Sequence, residues 1–345
     1  MTRELIGGLG ALDRDHTYVL YGRRPPGGLA LDGRFSWRRV GGPDAVWSPR
    51  VAASSGRRCD VFLSPNSYLL SALAPVPTAM VVHDLIPFVD GLPAQGRARR
   101  IERLTMRAAL SRSAAVVCVS RSTYEDLIAR HPRAAAKAVV APLAAGELFR
   151  AGRPASELEE VRRRHRLPAT FVLAAGSLEP RKNLARLIEA HAGLRDRLRA
   201  THPLVLVGPP GWDNEALLGM VGRHEHVRYL GEVGDEDLAA LYSSCTVFCF
   251  PSLYEGFGLP VIEAMMAGAA TITSATSSLP EVAGDAARYV DPCSVSEIRA
   301  ALGELLESEG LRQELSARAR ARAADFSWSE TAQRVMCVLE GIARR

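Results

Sequence analysis

The sequence predicts an α/β protein of two domains, each a mostly parallel sheet with helices on both faces. Three observations carry this. Short apolar runs alternate with helical stretches along the whole chain, the pattern that strand–helix–strand units produce. At 345 residues the chain is longer than one hydrophobic core usually serves. Between the two halves lies a polar stretch, Gly146 to Pro168, containing Gly152 and Pro154, which reads as a linker.

In the first half the strand candidates are Thr17–Tyr21, Val61–Leu63, Ala79–Val82, Ala114–Val119 and Ala138–Ala141. In the second they are Phe171–Ala175, Leu204–Val207, Val227–Leu230, Thr246–Phe250, Ala270–Thr273 and Arg288–Val290. A last helix from about Ser329 to Ala343 follows Phe326-Ser-Trp328. The domain bounds expected are 1–150, 151–328 and, for the final helix, 329–345.

The opening is unusual. Thr2–Leu12 reads as a helix with Leu5, Leu9 and Leu12 on one face. Doubly wound domains begin instead with a strand and a Gly-rich turn. The expectation is a true start upstream of Met1, with about 15–25 further residues forming that strand and turn. A domain that dispenses with the strand is the alternative.

A hydrophobic content of 47% and a charged content of 23% describe an ordinary globular protein, and no apolar run approaches bilayer-spanning length. The six cysteines form no C-x-x-C pair, and Cys118, Cys245 and Cys249 sit in or beside strand-like runs. They read as reduced core residues rather than a disulfide frame or zinc site. Residues 1–150 hold 21 Lys and Arg against 12 Asp and Glu, a surplus of nine positive charges; the remainder holds 22 against 26, a deficit of four. A basic first half suits an anionic partner, either a membrane surface or a lipid-linked phosphate. The plain alternative is a solvated Arg-rich surface. Basic and aromatic residues do not interleave as nucleic-acid binding would ask. Arg97, Arg99, Arg100, Arg103 and Arg107 fall on one helix, with Ile101, Leu104 and Ala108 on another side. That is a membrane-surface pattern, or a core-packing helix with a solvated arginine face.

The densest chemistry lies in Pro251-Ser-Leu-Tyr-Glu-Gly-Phe-Gly-Leu-Pro260, which follows a buried strand and turns through Gly256 and Gly258 into a helix. Pro260 suits a helix start, where the first N–H groups have no partner and can hold an anion. Glu255 and Glu263 flank that start, eight positions apart. Phosphate on amides, with two carboxylates nearby, suits a phosphate-bearing ligand rich in hydroxyls, such as a nucleotide sugar. For the two glutamates alone, solvated side chains on an ordinary strand–loop–helix would serve equally well. Upstream, Ala174-Ala-Gly-Ser-Leu-Glu-Pro-Arg-Lys-Asn183 also leaves a strand for a helix. Gly176 permits its tight turn, and Arg181 and Lys182 sit at the sheet edge where ligands of open α/β folds bind. Such cations match a leaving diphosphate, each charge-assisted bond being worth roughly 1.5–3 kcal/mol. Val81-Val-His83-Asp84 and Phe62-Leu-Ser-Pro-Asn66 both end strands. Ser64 and Asn66 either contact an acceptor or simply make the turn, and Asp84 either orients His83 or caps the turn after it.

Together these segments resemble the E-x(7)-E and E-P-R-K-N motifs of the family 4 retaining glycosyltransferases. The resemblance covers essentially the whole chain and is strongest from Phe171 to Pro292. It implies the GT-B fold, two Rossmann-like domains facing across a cleft, with the last helix crossing back to the first domain. It implies transfer of a hexose from a nucleotide-diphosphate sugar to a glycan or lipid-linked acceptor, with retention. By the same resemblance Glu255 touches the donor sugar, Glu263 holds the ribose, and the amides of Gly256, Phe257, Gly258 and Leu259 lie near sugar and diphosphate. Arg181 and Lys182 hold the phosphates, His83 bonds the sugar near its reacting carbon, and the loops at Gly208 and Val233 hold the base. Ser177 departs from the pattern, standing where many members place an Arg, which puts the individual role of Arg181 in question. The His-Asp-Leu and E-P-R-K-N wording is most similar to mannosyltransferases that build polysaccharides, so GDP-mannose is the first donor expected. No Asp-x-Asp or His/Cys cluster calls for a metal, and no cofactor is expected beyond the donor itself. The expected location is cytoplasmic, peripheral at the inner membrane face. The rival readings are a non-catalytic nucleotide-sugar binder, and a GT-B epimerase or phosphorylase. A Rossmann oxidoreductase lacks its G-x-G-x-x-G here.

Overall fold

The computed structural model describes residues 1–12, 15–25, 27, 31–56, 58–89, 91 and 96–344. The chain divides into two compact units, Met1–Leu143 with Ser327–Arg345, and Ala144–Phe326.

Unit 1 runs α1 (Thr2–Leu12), β1 (Tyr18–Gly22), β2 (Phe35–Arg39), α2 (Asp44–Ser55), β3 (Phe62–Ser64), α3 (Tyr68–Leu73), β4 (Thr78–Val82), α4 (Gly96–Arg112), β5 (Ala115–Cys118), α5 (Arg121–Arg130) and β6 (Ala138–Val140). The C-terminal helix, Trp328–Ala343, completes it. β3-β4-β5-β6 form a four-stranded parallel sheet, while β1 and β2 form a separate parallel pair. β4 is buried along its whole length, as a strand covered on both faces must be. Its Met80 and Val82 pack with Val116, Leu127 and the inner residues of α4, Met106, Ala109 and Leu110. Ser67 and Ser120 cap α3 and α5, each Oγ accepting an N–H three residues on.

Two readings of the first half need correction. β2 was not anticipated, because its Phe-Ser-Trp-Arg-Arg run has charged outer positions and follows a Pro/Gly-rich stretch. On α4, Ile101 and Leu104 do not pack inward; they are 55% and 62% exposed and share the outer face with Arg100 and Arg107. The helix turns Arg99 and Arg103 inward instead, where both donate to the Pro87 carbonyl and Arg103 lies over the Phe88 ring. The Arg97 side chain lies outside the described residues.

Unit 2 runs α6 (Ala155–Arg164), β7 (Val172–Ala175), α7 (Leu184–Ala192), α8 (Asp196–Thr201), β8 (Leu204–Val207), α9 (Glu215–Arg223), β9 (Val227–Tyr229), α10 (Asp235–Ser244), β10 (Val247–Phe250), α11 (Leu259–Met266), β11 (Thr271–Ser274), α12 (Leu279–Ala283), β12 (Ala287–Val290), α13 (Val295–Glu307) and α14 (Glu309–Ala323). Its six strands are parallel in the order β12-β11-β10-β7-β8-β9. The stretch read as a linker is part of this unit. α6 and the residues flanking it are held to α10 by Arg153–Glu236 at 2.8 Å ahead of the helix, Arg164–Asp237 at 2.6 Å in its last turn and His165–Asp237 at 2.8 Å just past it.

Candidate functional site

The strand order of unit 2 creates the site. From β7 the chain winds outward through β8 and β9, then returns to place β10 on the other side of β7. Loops leaving the C-terminal ends of β7 and β10 therefore diverge, and a crevice opens at that switch point, where open α/β sheets bind ligands. The two loops are the two motif segments, Gly176–Lys182 and Pro251–Gly258. They are laced together: the Leu253 amide donates to the Arg181 carbonyl at 2.9 Å, and Asn183 Nδ2 donates to the Pro251 and Pro292 carbonyls. Close approach to the neighbouring loop demands glycine at 208, where a Cβ would stand 2.1 Å from the Gly176 carbonyl oxygen.

At the centre lies Glu255, which is buried. One of its oxygens, Oε1, takes all the charge-assisted bonds: from Lys182 Nζ at 2.7 Å, from Ser252 Oγ at 2.7 Å and in an ion pair with Arg181 at 2.8 Å. Burial alone would raise its pKa, but the Lys182 and Arg181 charges outweigh that and hold the carboxyl below the ordinary range. Burial pushes the Lys182 ammonium down, and Glu255 opposes it. Lys182 also lies 4.8 Å from the Phe250 ring centroid and spends one of its three donors on Glu255. Arg181 is anchored on three sides, to Glu255, to Glu179 at 2.5 Å and to the Tyr254 carbonyl at 2.7 Å. Ser177 Oγ reaches the same Glu179 oxygen at 3.1 Å, and Trp212 Nε1 reaches the other at 3.3 Å. Glu179, Ser252 and Tyr254 thus belong to the cluster although the sequence reading assigned them no role. Glu179 stands directly before Pro180 in the quoted motif, which was the available signal.

α11 begins at Leu259, directly after Gly258, whose φ of +105° is left-handed, and no side chain caps the helix start. Pro260 carries no N–H, and the Val261 and Ile262 amides donate to the Gly258 carbonyl at 2.9 Å and 3.3 Å, so within the first turn the Leu259 amide is the one open to a ligand. Gly256 and Phe257 are buried ahead of it, and Leu259 opens the helix. Glu263, one turn on, accepts from Tyr242 Oη at 3.3 Å. Burial raises its pKa to about 7 despite that bond. Val233 is half-buried in the loop between β9 and α10, and that loop meets the one after β8 where the Gly208 amide donates to the Gly231 carbonyl.

The remaining candidates belong to unit 1. His83 follows β4, and its Nε2 lies 2.7 Å from the Pro65 carbonyl, an acceptor, so Nε2 carries the proton and Nδ1 is left as an acceptor. Asp84 Oδ1 accepts the Ile86 amide at 3.0 Å, which caps the turn after His83. Asn66 Nδ2 donates to Thr2 Oγ1 at 3.0 Å, and Ser64 is spent on the Ser67 carbonyl. Among the described residues no group of three or more His, Cys, Asp or Glu side chains is placed to hold a metal ion.

Comparison with known proteins agrees with this geometry. Residues 1–144 match the family described as Glycosyltransferase Family 4, and residues 157–322 match Glycosyl transferases group 1. The O-antigen chain mannosyltransferase B of Escherichia coli is 34% identical over 272 residues, 78% of this chain and 71% of that protein. The chain belongs to the family 4 glycosyltransferases. This glycosyltransferase is also 34% identical over 289 residues to the serotype-specific mannosyltransferase WbdA of Escherichia coli, 81% of the chain but 35% of that longer relative. Its fold is GT-B: Anabaena HepE, solved with UDP and glucose, superposes with a TM-score of 0.76 over 94% of this chain and 100% of that one, at 17% identity. No helix among the described residues is long and apolar enough to cross a membrane.

Proposed function

We propose that this glycosyltransferase moves mannose from GDP-mannose to a glycan or lipid-linked acceptor, with retention at the anomeric carbon. The observation that carries the reading is the buried Lys182–Glu255–Arg181 cluster at the switch point, with α11 starting uncapped beside it. Mannose itself is supported by the names of the relatives, both mannosyltransferases.

In this reading the bond from the sugar's anomeric carbon to the diphosphate oxygen breaks, and the electron pair leaves with GDP. Lys182, Arg181 and the Leu259 amide at the start of α11 meet that growing charge without reorganising, because burial and their existing partners hold them in place. Glu255 keeps Oε1 on its three donors, which leaves Oε2 for the donor sugar's hydroxyls. Glu263 holds the ribose, and backbone at Gly208 and Val233 holds the base. The acceptor oxygen bonds to the anomeric carbon, and its proton passes to the departing diphosphate. Protein cations then take the place of a divalent ion. Six free cysteines suit a reducing compartment. On α4 the exposed Ile101 and Leu104, flanked by Arg100 and Arg107, suit peripheral contact with an anionic bilayer at the inner membrane face.

The test is turnover of a panel of nucleotide sugars with α-mannoside acceptors. GDP release and a mannosylated product from GDP-mannose are expected. Turnover of another nucleotide sugar, with GDP-mannose inert, would overturn the donor assignment. For the membrane face, cosedimentation with phosphatidylglycerol vesicles should be lost in Ile101→Glu/Leu104→Glu. Unchanged binding would remove α4 from that role.

A further inference from the structure

Near the C-terminal end of α10 lies Tyr242, only 1% exposed. Its ring is fixed by edge-on contacts with Phe248 of β10 at 5.2 Å and with Phe149, ahead of α6, at 5.9 Å. A phenol hydroxyl taken that deep into an apolar layer needs a hydrogen-bond partner. Glu263 of α11 provides it: Tyr242 Oη donates to Oε2 at 3.3 Å. Glu263 is half-buried, and its other oxygen, Oε1, stays accessible with no hydrogen-bond partner among the described residues.

A partner that served the tyrosine alone would not need a charge. Burial raises the Glu263 pKa to about 7, so the carboxylate is costly to ionise where it stands. A glutamine carbonyl would accept from Tyr242 without that cost. Carboxylates kept in such surroundings point to use rather than to packing. The Tyr242 bond works in the direction that use requires, because it favours the charged form and ties down one of the two oxygens. A glutamate left to itself turns about several bonds, and ordering it on a ligand weakens binding. α10 also spans the nucleoside end of the crevice: it leaves the loop that holds Val233, and it carries Tyr242 to Glu263.

We propose that Tyr242 is a positioning residue for the nucleotide: its hydroxyl fixes Glu263 Oε2 and so presents Oε1 to the 2′,3′-diol of the donor's ribose. This role rests on the ribose contact proposed for Glu263 and adds the group that orients it. Tyr242 acts through the carboxylate and not on the ligand. Oε1 has the lone pairs to accept from both hydroxyls of a cis-diol. The diphosphate end, at Lys182 and Arg181, is untouched. Because the ribose takes no part in bond breaking, ground and transition states lose the same contact when the hydroxyl is removed. The donor KM should then rise while kcat stays.

Calorimetry compares GDP with 2′,3′-dideoxy-GDP in the wild type, in Tyr242→Phe and in Glu263→Gln. The same pair for UDP keeps the comparison independent of the base. Phenylalanine keeps the ring between Phe149 and Phe248 and removes the hydroxyl alone. Tyr242→Phe should weaken the ribonucleotide roughly 3- to 10-fold and leave the dideoxy form unchanged, with donor KM rising by the same factor at constant kcat. Equal loss of both nucleotides in Tyr242→Phe would make the tyrosine a packing residue and overturn the proposal. A ribose preference kept in full by Tyr242→Phe but lost in Glu263→Gln would overturn it too, and would leave the ribose contact of Glu263 standing. Equal binding of the ribose and dideoxy forms by the wild type would overturn both.

Discussion

Replacing Lys182 with alanine removes the buried cation on which the account turns. The wild-type ammonium donates to Glu255 Oε1 at 2.7 Å inside the protein, a charge-assisted bond worth roughly 1.5–3 kcal/mol. Leaving a buried carboxylate wholly unpaired would cost about 3–5 kcal/mol. Here the cost is smaller, because Arg181 at 2.8 Å and Ser252 at 2.7 Å still hold the same oxygen. A stability loss of about 1–3 kcal/mol is expected, seen as a lower melting temperature. The larger effect falls on ligand: losing one such bond to a diphosphate weakens binding roughly 10- to 150-fold. Transfer should fall by about 10²-fold or more in kcat/KM, since the lost charge acts on the leaving group. Calorimetry with GDP reads the first quantity and steady-state transfer the second. Lys137→Ala is the control, because Lys137 donates to the Leu110 and Ser113 carbonyls in unit 1 and should lower stability without touching nucleotide affinity. Unchanged GDP affinity and intact transfer in both Lys182→Ala and Arg181→Ala would refute the site assignment.

Three further outcomes rest on the same geometry. Glu255→Gln should cripple transfer while free GDP still binds, whereas Glu263→Gln should weaken GDP binding; calorimetry giving the opposite pattern would reverse the two roles. Burial raises Glu263 to about 7 from 4.5, so the folded state holds its proton more tightly than the unfolded chain. Stability should therefore fall by about 3 kcal/mol as pH rises from about 4.5 to 7 and level off above; denaturant melts should show that slope, and Glu263→Gln should flatten it. Gly208→Ala sets a Cβ 2.1 Å from the Gly176 carbonyl oxygen at a left-handed φ of +142°, and should destabilise unit 2 by about 2 kcal/mol or more; a melting temperature equal to wild type would contradict the loop packing.

Much of unit 2 was legible in the sequence because its strands are continuous apolar runs, and both chemical loops leave such runs through glycines. The alternation also pointed to a parallel sheet, and so to ligand at the strands' C-terminal ends. What the sequence could not show was how the charges pair. Nothing in the spacing of Arg181, Lys182 and Glu255 reveals that three donors share one carboxylate oxygen, since that depends on the loops crossing in space. In unit 1 the signal was weaker. β2 carries charge at its outer positions, and α4 has apolar residues on two faces, so periodicity alone could not say which face packs. Asp84 and Ser64 turned out to serve the turns beside them, a use that residue type always left open.

The central claim is that protein cations, not a metal ion, hold a nucleoside diphosphate at the switch point of unit 2. GDP titrated into the full chain in excess EDTA tests it directly. The account predicts saturable one-site binding, unchanged by later addition of magnesium or manganese and weakened at least roughly tenfold in Lys182→Ala. Binding that vanishes in EDTA and returns with the metal, or is indifferent to Lys182, would contradict it.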